Sequence, residues 1–338
     1  MEKFTKFEDP ATGINPFLPP KAGKKQKQNT FLSIVGKVLF VIRVPILLIF
    51  IILWLILGII PKILFFPALS HPLQRLFDCI FGRSILILLG FMSVKQQKAV
   101  NSIGKPNGYS FGKREDKMDK NSVILTNHVS FIDLICLTTL FSPEYALISN
   151  DYKAEIPKKV TVHHFGFLKA VISVMFKTTL ENNKGVELST LLVDREKKRT
   201  NSPLVIFMEG TTTNGLTMLQ PIRKAFNNSE FKSIFLFTFK YSDESGCVQT
   251  TQSLFKFIVK LLSQLSHNLT IYTFLPINNL SAKTNNQDSD EEKQKEDLIE
   301  QIRRIICSQI NPPSSLTIIT KKKFIDYYQE ELKKKNKC

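Results

Sequence analysis

A chain of 338 residues that is 43% apolar and 22% charged has enough apolar side chains to close a hydrophobic core without disulfides or a metal, and it is not a wholly disordered polymer. Lysine and arginine number 46 against 29 acidic residues, and the resulting charge of +17 calls for an anionic partner: nucleic acid, a membrane surface or a phosphorylated substrate. The five cysteines form no CxxC pair, which excludes a zinc ribbon or a disulfide scaffold and fits a reducing compartment.

Residues 1–30 are polar, punctuated by Pro10, Pro16, Pro19 and Pro20, and end in the lysine-rich stretch Lys21–Lys27. They read as a flexible basic tail rather than a signal peptide, because no apolar core lies near Met1. Residues 44–61 (VPILLIFIILWLILGIIP) carry no charge between Arg43 and Lys62, a length that just crosses a hydrocarbon core of about 30 Å. A second apolar run, Ser84–Val94, is too short to span alone, and residues 31–95 together read as a membrane-embedded segment. Lys37 and Arg43 precede the apolar region; Lys95, Lys98, Lys105, Lys113, Arg114, Lys117 and Lys120 follow it. Two basic flanks both belong on the cytosolic side, so a hairpin or monotopic anchor is expected rather than a single crossing.

Over residues 96–280 the pattern alternates. Strands are expected at Ser122–Thr126, Tyr145–Ser149, Leu204–Met208, Ile234–Phe239 and Leu269–Leu275. Helices are expected at Ser130–Phe141, Gly166–Phe176, Val186–Arg199 and Leu254–Ser266. This is an α/β domain, a mixed sheet covered by helices. Residues 281–338 follow as a polar loop around Asn278–Glu292, a helix over Glu291–Ile310 and a basic terminal helix.

Two strand-end loops carry chemistry. In Asn127-His128-Val129-Ser130-Phe131-Ile132-Asp133, a carboxylate five residues after the histidine can accept its N–H, fix its tautomer and stabilise the imidazolium. That makes a general base with no serine of its own, so the nucleophile comes from a substrate. The same residues fit a plain capping box, Ser130 capping the helix and Asp133 returning the bond. In Glu209-Gly210-Thr211-Thr212-Thr213-Asn214-Gly215, glycines and hydroxyls could cradle a phosphate or polyol, or simply form a turn. No histidine, cysteine or carboxylate spacing suggests a metal site, and the basic clusters lack an aromatic nucleic-acid signature.

Taken together, an HxxxxD motif followed about 80 residues later by Glu-Gly-Thr, behind a membrane segment, resembles the glycerolipid (lysophospholipid) acyltransferase family. Gly13-Ile14-Asn15-Pro16-Phe17-Leu18-Pro19 further resembles the fungal lysophosphatidic acid:oleoyl-CoA acyltransferases of endoplasmic reticulum and lipid droplets. The resemblance implies His128 and Asp133 as catalytic residues, and Asn127, Ser130, Glu209, Gly210, Thr211 and Thr212 as substrate-binding ones. It implies acyl-CoA as donor and co-substrate with no further cofactor, a lysophospholipid acceptor, an anionic membrane surface as partner and a domain facing the cytosol. Two positions depart from the family pattern: Met208 stands for proline and Thr212 for the arginine that would pair with substrate phosphate. Another cation must then serve, and Lys177, Arg223 and Lys224 are candidates; Gly166 and Lys177 are candidates for the family's intermediate glycine–arginine block. Lysophosphatidylcholine as acceptor, or an inactive membrane tether, are the competing expectations.

Overall fold

The computed structural model describes residues 2–20, 30–63, 67–99, 110–111, 118–119, 121–152, 155–197, 202–242, 251–281 and 289–335. The basic run at 21–27, the basic residues Lys105, Lys113, Arg114, Lys117 and Lys120, and the polar loop at 282–288 lie outside the described residues. In chain order the elements are α1 (Thr30–Leu57), α2 (Ile60–Ile63), α3 (Pro67–Leu88), β1 (Val94–Lys98), β2 (Ser110–Phe111), β3 (Ser122–Thr126), α4 (Phe131–Phe141) and β4 (Glu144–Ile148). There follow β5 (Val162–Phe165), α5 (Phe167–Met175), α6 (Leu188–Lys197), β6 (Leu204–Phe207), β7 (Glu230–Tyr241), α7 (Leu254–Leu262), β8 (Leu269–Thr273), β9 (Ile277–Ser281), α8 (Ser289–Cys307) and α9 (Ile318–Lys335).

The strands form one mixed sheet in the order β1-β8-β7-β3-β6-β4-β5, with β9 beside β7 and β2 beside β9. Every residue of β3 is buried, as an uninterrupted apolar strand between two helical layers must be. It pairs in parallel with β6 and β7, and β6 pairs in parallel with β4. Their carboxyl ends therefore lie side by side, where open α/β sheets place their ligands.

The two faces of the sheet meet different helices. Ile124, Val205 and Phe237 face a core completed by Ile132 of α4 and by Trp54, Phe81 and Ile85 of α1 and α3. Val123, Leu125 and Ile206 face Leu188 and Leu191 of α6 and Ile299, Ile302 and Ile305 of α8. Neither residue 95 nor residue 281, expected as boundaries, marks a break in packing: the apolar helices share the first core and α8 the second.

Helix α1 has a stretch, Ile34–Leu57, long and apolar enough to cross a membrane. Phe50 meets Phe81 and Trp54 meets Asp78, so numbers fall on one helix as they rise on the other, the mark of an antiparallel hairpin of α1 and α3. Asp78 of α3, which precedes the second apolar run, is buried; its carboxylate accepts from the Trp54 indole at 2.9 Å and from Gln74 at 2.8 Å. Arg43 donates to the carbonyls of Leu262 (3.1 Å) and Leu265 (3.0 Å) at the end of α7, where a cation meets the negative pole of the helix. Trp54 also lies against Phe167 of α5, with centroids 4.5 Å apart. The opposite side of α1 exposes Val41, Leu48, Ile49, Ile52 and Ile56.

Residues 2–20 depart from the tail expected at 1–30. Phe7 and Phe17 are buried with Leu219 and Phe324 of α9. Asn214 donates to the carbonyls of Asn15 and Leu18, each at 2.9 Å, and Asp9 accepts from Ser314 (3.0 Å) and Ser315 (2.7 Å). Polar, proline-rich composition suggested disorder, yet the proline-fixed backbone is held by partners some 200 to 300 positions away in sequence. Phe324→Ala should cost about 3–5 kcal/mol, read as a lower denaturant midpoint, whereas a loss under about 1 kcal/mol would make this cluster superficial.

Candidate active site

His128 and Glu209 stand at the ends of adjacent parallel strands, since Thr126 pairs with Phe207. The two loops are bolted together through the backbone of His128. Its N–H donates to Glu209 Oε1 at 3.0 Å, and its carbonyl accepts from the Thr213 N–H at 2.9 Å. Glu209 Oε2 accepts from the Leu219 N–H at 2.9 Å, so each carboxylate oxygen holds a backbone N–H. Burial pushes the Glu209 carboxyl up to about 7, opposed by those two hydrogen bonds and by Arg303 and Lys321. Gly210 turns the loop at φ +64°, and a Cβ there would lie 2.6 Å from Ile222 Cδ1, so the position requires glycine.

Asp133 does both jobs that the sequence left as alternatives. Its Oδ2 accepts from His128 Nδ1 (3.0 Å) and from the backbone N–H groups of Val129 (2.7 Å) and Ser130 (3.0 Å). Ser130 Oγ in turn accepts from the Ile132 N–H at 3.1 Å, completing the capping box of α4. Because the N-cap of α4, Ser130, lies two residues after His128, the N3 carboxylate that closes the cap also reaches the imidazole. Asp133 Oδ1 accepts the Tyr241 hydroxyl, a partner 108 positions away that no local pattern signals. With Nδ1 held, Nε2 is the nitrogen that can take a proton. The ring stacks on Phe207, centroids 3.9 Å apart. Burial holds the imidazole below its ordinary value, reinforced by Lys321 and opposed by Asp133.

His128 opens on a cavity of about 170 Å³ that also receives Gly210, Thr211, Thr212, Lys177, Lys321 and Lys322. Leu147, Val174, Leu180, Ile318 and Ile325 supply its apolar wall. Asn127 and Ser130, expected to touch substrate, face the scaffold instead. Asn127 exchanges two hydrogen bonds with the backbone of Phe239 (3.0 and 2.8 Å), extending the β3–β7 pairing, and Ser130 is the helix cap. Glu209 likewise braces the loop.

The expected cations divide. Lys177 lines the cavity, whereas Arg223 pairs with Glu300 at 3.4 Å and Lys224 donates to the Ile156 carbonyl at 3.1 Å. Gly166 is the N-cap of α5. Lys177 sits just past α5 at φ +50°, where Thr178 N–H bonds to Ser173 O (3.0 Å) and Lys177 N–H to Val174 O (3.3 Å). Glycine is preferred at this helix stop, and a side chain there costs about 1 kcal/mol. Lys321 on α9 was not anticipated. Its ammonium donates to Thr211 Oγ1 (2.6 Å), to Thr212 Oγ1 (3.1 Å) and to the Thr212 carbonyl. Burial first, then Lys177, pushes it down to about 7, with Glu209 opposing.

The sequence pattern of the Acyltransferase family matches residues 107–273, a span that holds both loops. A Schizosaccharomyces pombe protein named "Putative lysophosphatidic acid:oleoyl-CoA acyltransferase" is 27% identical over 220 residues. That match covers 65% of this chain and 66% of the relative, just under two thirds of its length. No solved structure matches. Residues 107–273 of this chain, which hold the His128–Asp133 pair and the Glu209–Thr211 turn on neighbouring strand ends, are thus similar to the acyltransferase family.

Proposed function

We propose that this enzyme transfers a fatty acyl group, oleoyl above all, from acyl-CoA to lysophosphatidic acid, giving phosphatidic acid and free CoA for glycerolipid synthesis. The observation that carries the reading is the oriented imidazole of His128 on a cavity rich in lysines. His128 Nε2 takes the proton of the acceptor's glycerol hydroxyl as its oxygen attacks the thioester carbonyl, and Asp133 stabilises the imidazolium. When the tetrahedral intermediate collapses, the C–S bond breaks and the proton leaves with the CoA thiol. No covalent acyl-enzyme, metal or further cofactor enters this sequence.

The α1–α3 hairpin sits in one leaflet of the endoplasmic reticulum or lipid-droplet surface, with the site facing the cytosol. Supporting this, α1 is tied to the folded domain at Arg43 and again at Trp54 while its other side exposes apolar residues, an arrangement that suits monotopic insertion. Protease added outside sealed microsomes should digest the domain; a protected domain would make α1 a plain span.

Membranes carrying the full chain, given labelled oleoyl-CoA and a panel of lysolipids, should make phosphatidic acid faster than any other product. Equal or faster acylation of lysophosphatidylcholine would overturn the headgroup assignment, and no acylation of any lysolipid would leave a membrane tether.

A further inference from the structure

Position 212 holds threonine where the family pattern has a phosphate-pairing arginine, so the charge for an anionic headgroup has to come from outside the motif. We infer that Lys321, delivered by α9, is the specificity-determining residue that recognises the acceptor's phosphomonoester, with Lys177 as a second cation across the cavity. This assignment rests on the acyl-transfer reading above.

Lys321 reaches the loop position the arginine would occupy: its hydrogen-bond partners among the described residues are oxygens of Thr211 and Thr212. All are neutral. Glu209 attracts it through space, but both Glu209 oxygens hold backbone N–H groups. A buried ammonium among neutral acceptors, with a second ammonium nearby, is electrostatically unfavourable while the cavity is empty. A phosphate dianion relieves both cations at once, and charge-assisted bonds to phosphate oxygens are the strong kind. The two threonine hydroxyls can rotate to accept from Lys321 and donate to phosphate. Lys177 adds an independent sign. It holds a left-handed backbone where glycine would be easier, which places its side chain in this cavity.

The test uses the full chain in detergent, with thermal unfolding measured against lysophosphatidic acid and against monoacylglycerol of the same chain length, alongside steady-state kinetics. Wild type should be stabilised by the phosphate-bearing lipid only. Lys321→Met should abolish that stabilisation and raise the KM for lysophosphatidic acid about 10- to 100-fold, the scale of a lost charged hydrogen bond. Lys321→Arg should restore most of it. Were the methionine variant not to fold, Lys177→Gly carries the test: it should melt higher than wild type, through the relieved backbone, yet respond less to lysophosphatidic acid. Unchanged lipid-specific stabilisation in Lys321→Met, or an equal loss with every lysolipid, would overturn the assignment. Failure of the acyl-transfer reading looks different: lysophosphatidic acid would still stabilise wild type through Lys321, but no phosphatidic acid would form.

Discussion

Replacing His128 with alanine should lower acyl transfer by about 10²- to 10⁴-fold, the contribution of a well-placed general base, while the protein still accumulates in membranes. Folding should survive because the bonds that hold this residue in place belong to its backbone: its N–H to Glu209 and its carbonyl to Thr213. The side chain gives up its stack on Phe207 and its bond to Asp133, neither of which closes the strand ends. The direction of the histidine shift sets a pH signature. The groups facing the imidazole are Asp133 from α4, which favours its charged form, and Lys321 from α9, which disfavours it. Burial outweighs Asp133, so the base stays neutral below the ordinary histidine value of 6.5 and protonates only further into acid. The acid limb of kcat/KM should therefore fall below 6.5, and His128→Ala should lose that limb together with the rate. Activity within a few-fold of wild type would remove His128 from the mechanism.

Much of the sheet was legible because its strands are short apolar runs between turns. Ser122–Thr126 occupies the span its sequence predicts, and so, to within a residue or two, do α4, α5, β6 and the start of α7. The strands that escaped, Val94–Lys98, Ser110–Phe111, Val162–Phe165 and Ile277–Ser281, are peripheral in the sheet. Val94–Lys98 (VKQQK) is nearly all exposed, so it has neither an apolar run nor alternation to betray it and owes its form to pairing with β8. The Asn278–Glu292 stretch, polar but for Leu280 and Ala282, turned out to begin in β9 and to end in α8. The two strand-end motifs bring His128, Asp133 and the Gly210 turn beside one another, but their spacing does not divide the labour among them. Residue type alone cannot say that Asn127 would bond to Phe239 rather than to a ligand. Lys321 was hidden differently. It is one of three consecutive lysines, of which Lys321 is the buried one, on a helix held by Phe324 against Phe7 and Phe17, contacts more than 300 positions long in sequence.

Asp133→Asn should damage rate and stability together, because one carboxylate serves the cap and the imidazole. Its Oδ2 accepts from His128 Nδ1, Val129 N–H and Ser130 N–H, and its Oδ1 from Tyr241. An amide has the same shape, but one of its two ends must donate. Turned with its oxygen toward the helix start, it keeps those bonds as neutral ones and gives Tyr241 a new donor to meet. Converting charge-assisted bonds to neutral ones should cost about 1.5–3 kcal/mol in denaturant unfolding. Turnover should fall by about 10²- to 10⁴-fold, since the imidazolium formed on proton abstraction loses its counter-charge and the tautomer its anchor. Ser130→Ala separates the two roles. It removes the hydroxyl cap on Ile132 and leaves the Asp133–His128 bond, so it should lose about 0.5–2 kcal/mol of stability while keeping most of its turnover. An Asp133→Asn enzyme as destabilised as Ser130→Ala and just as active would reduce the carboxylate to a helix cap and leave His128 without an orienting partner.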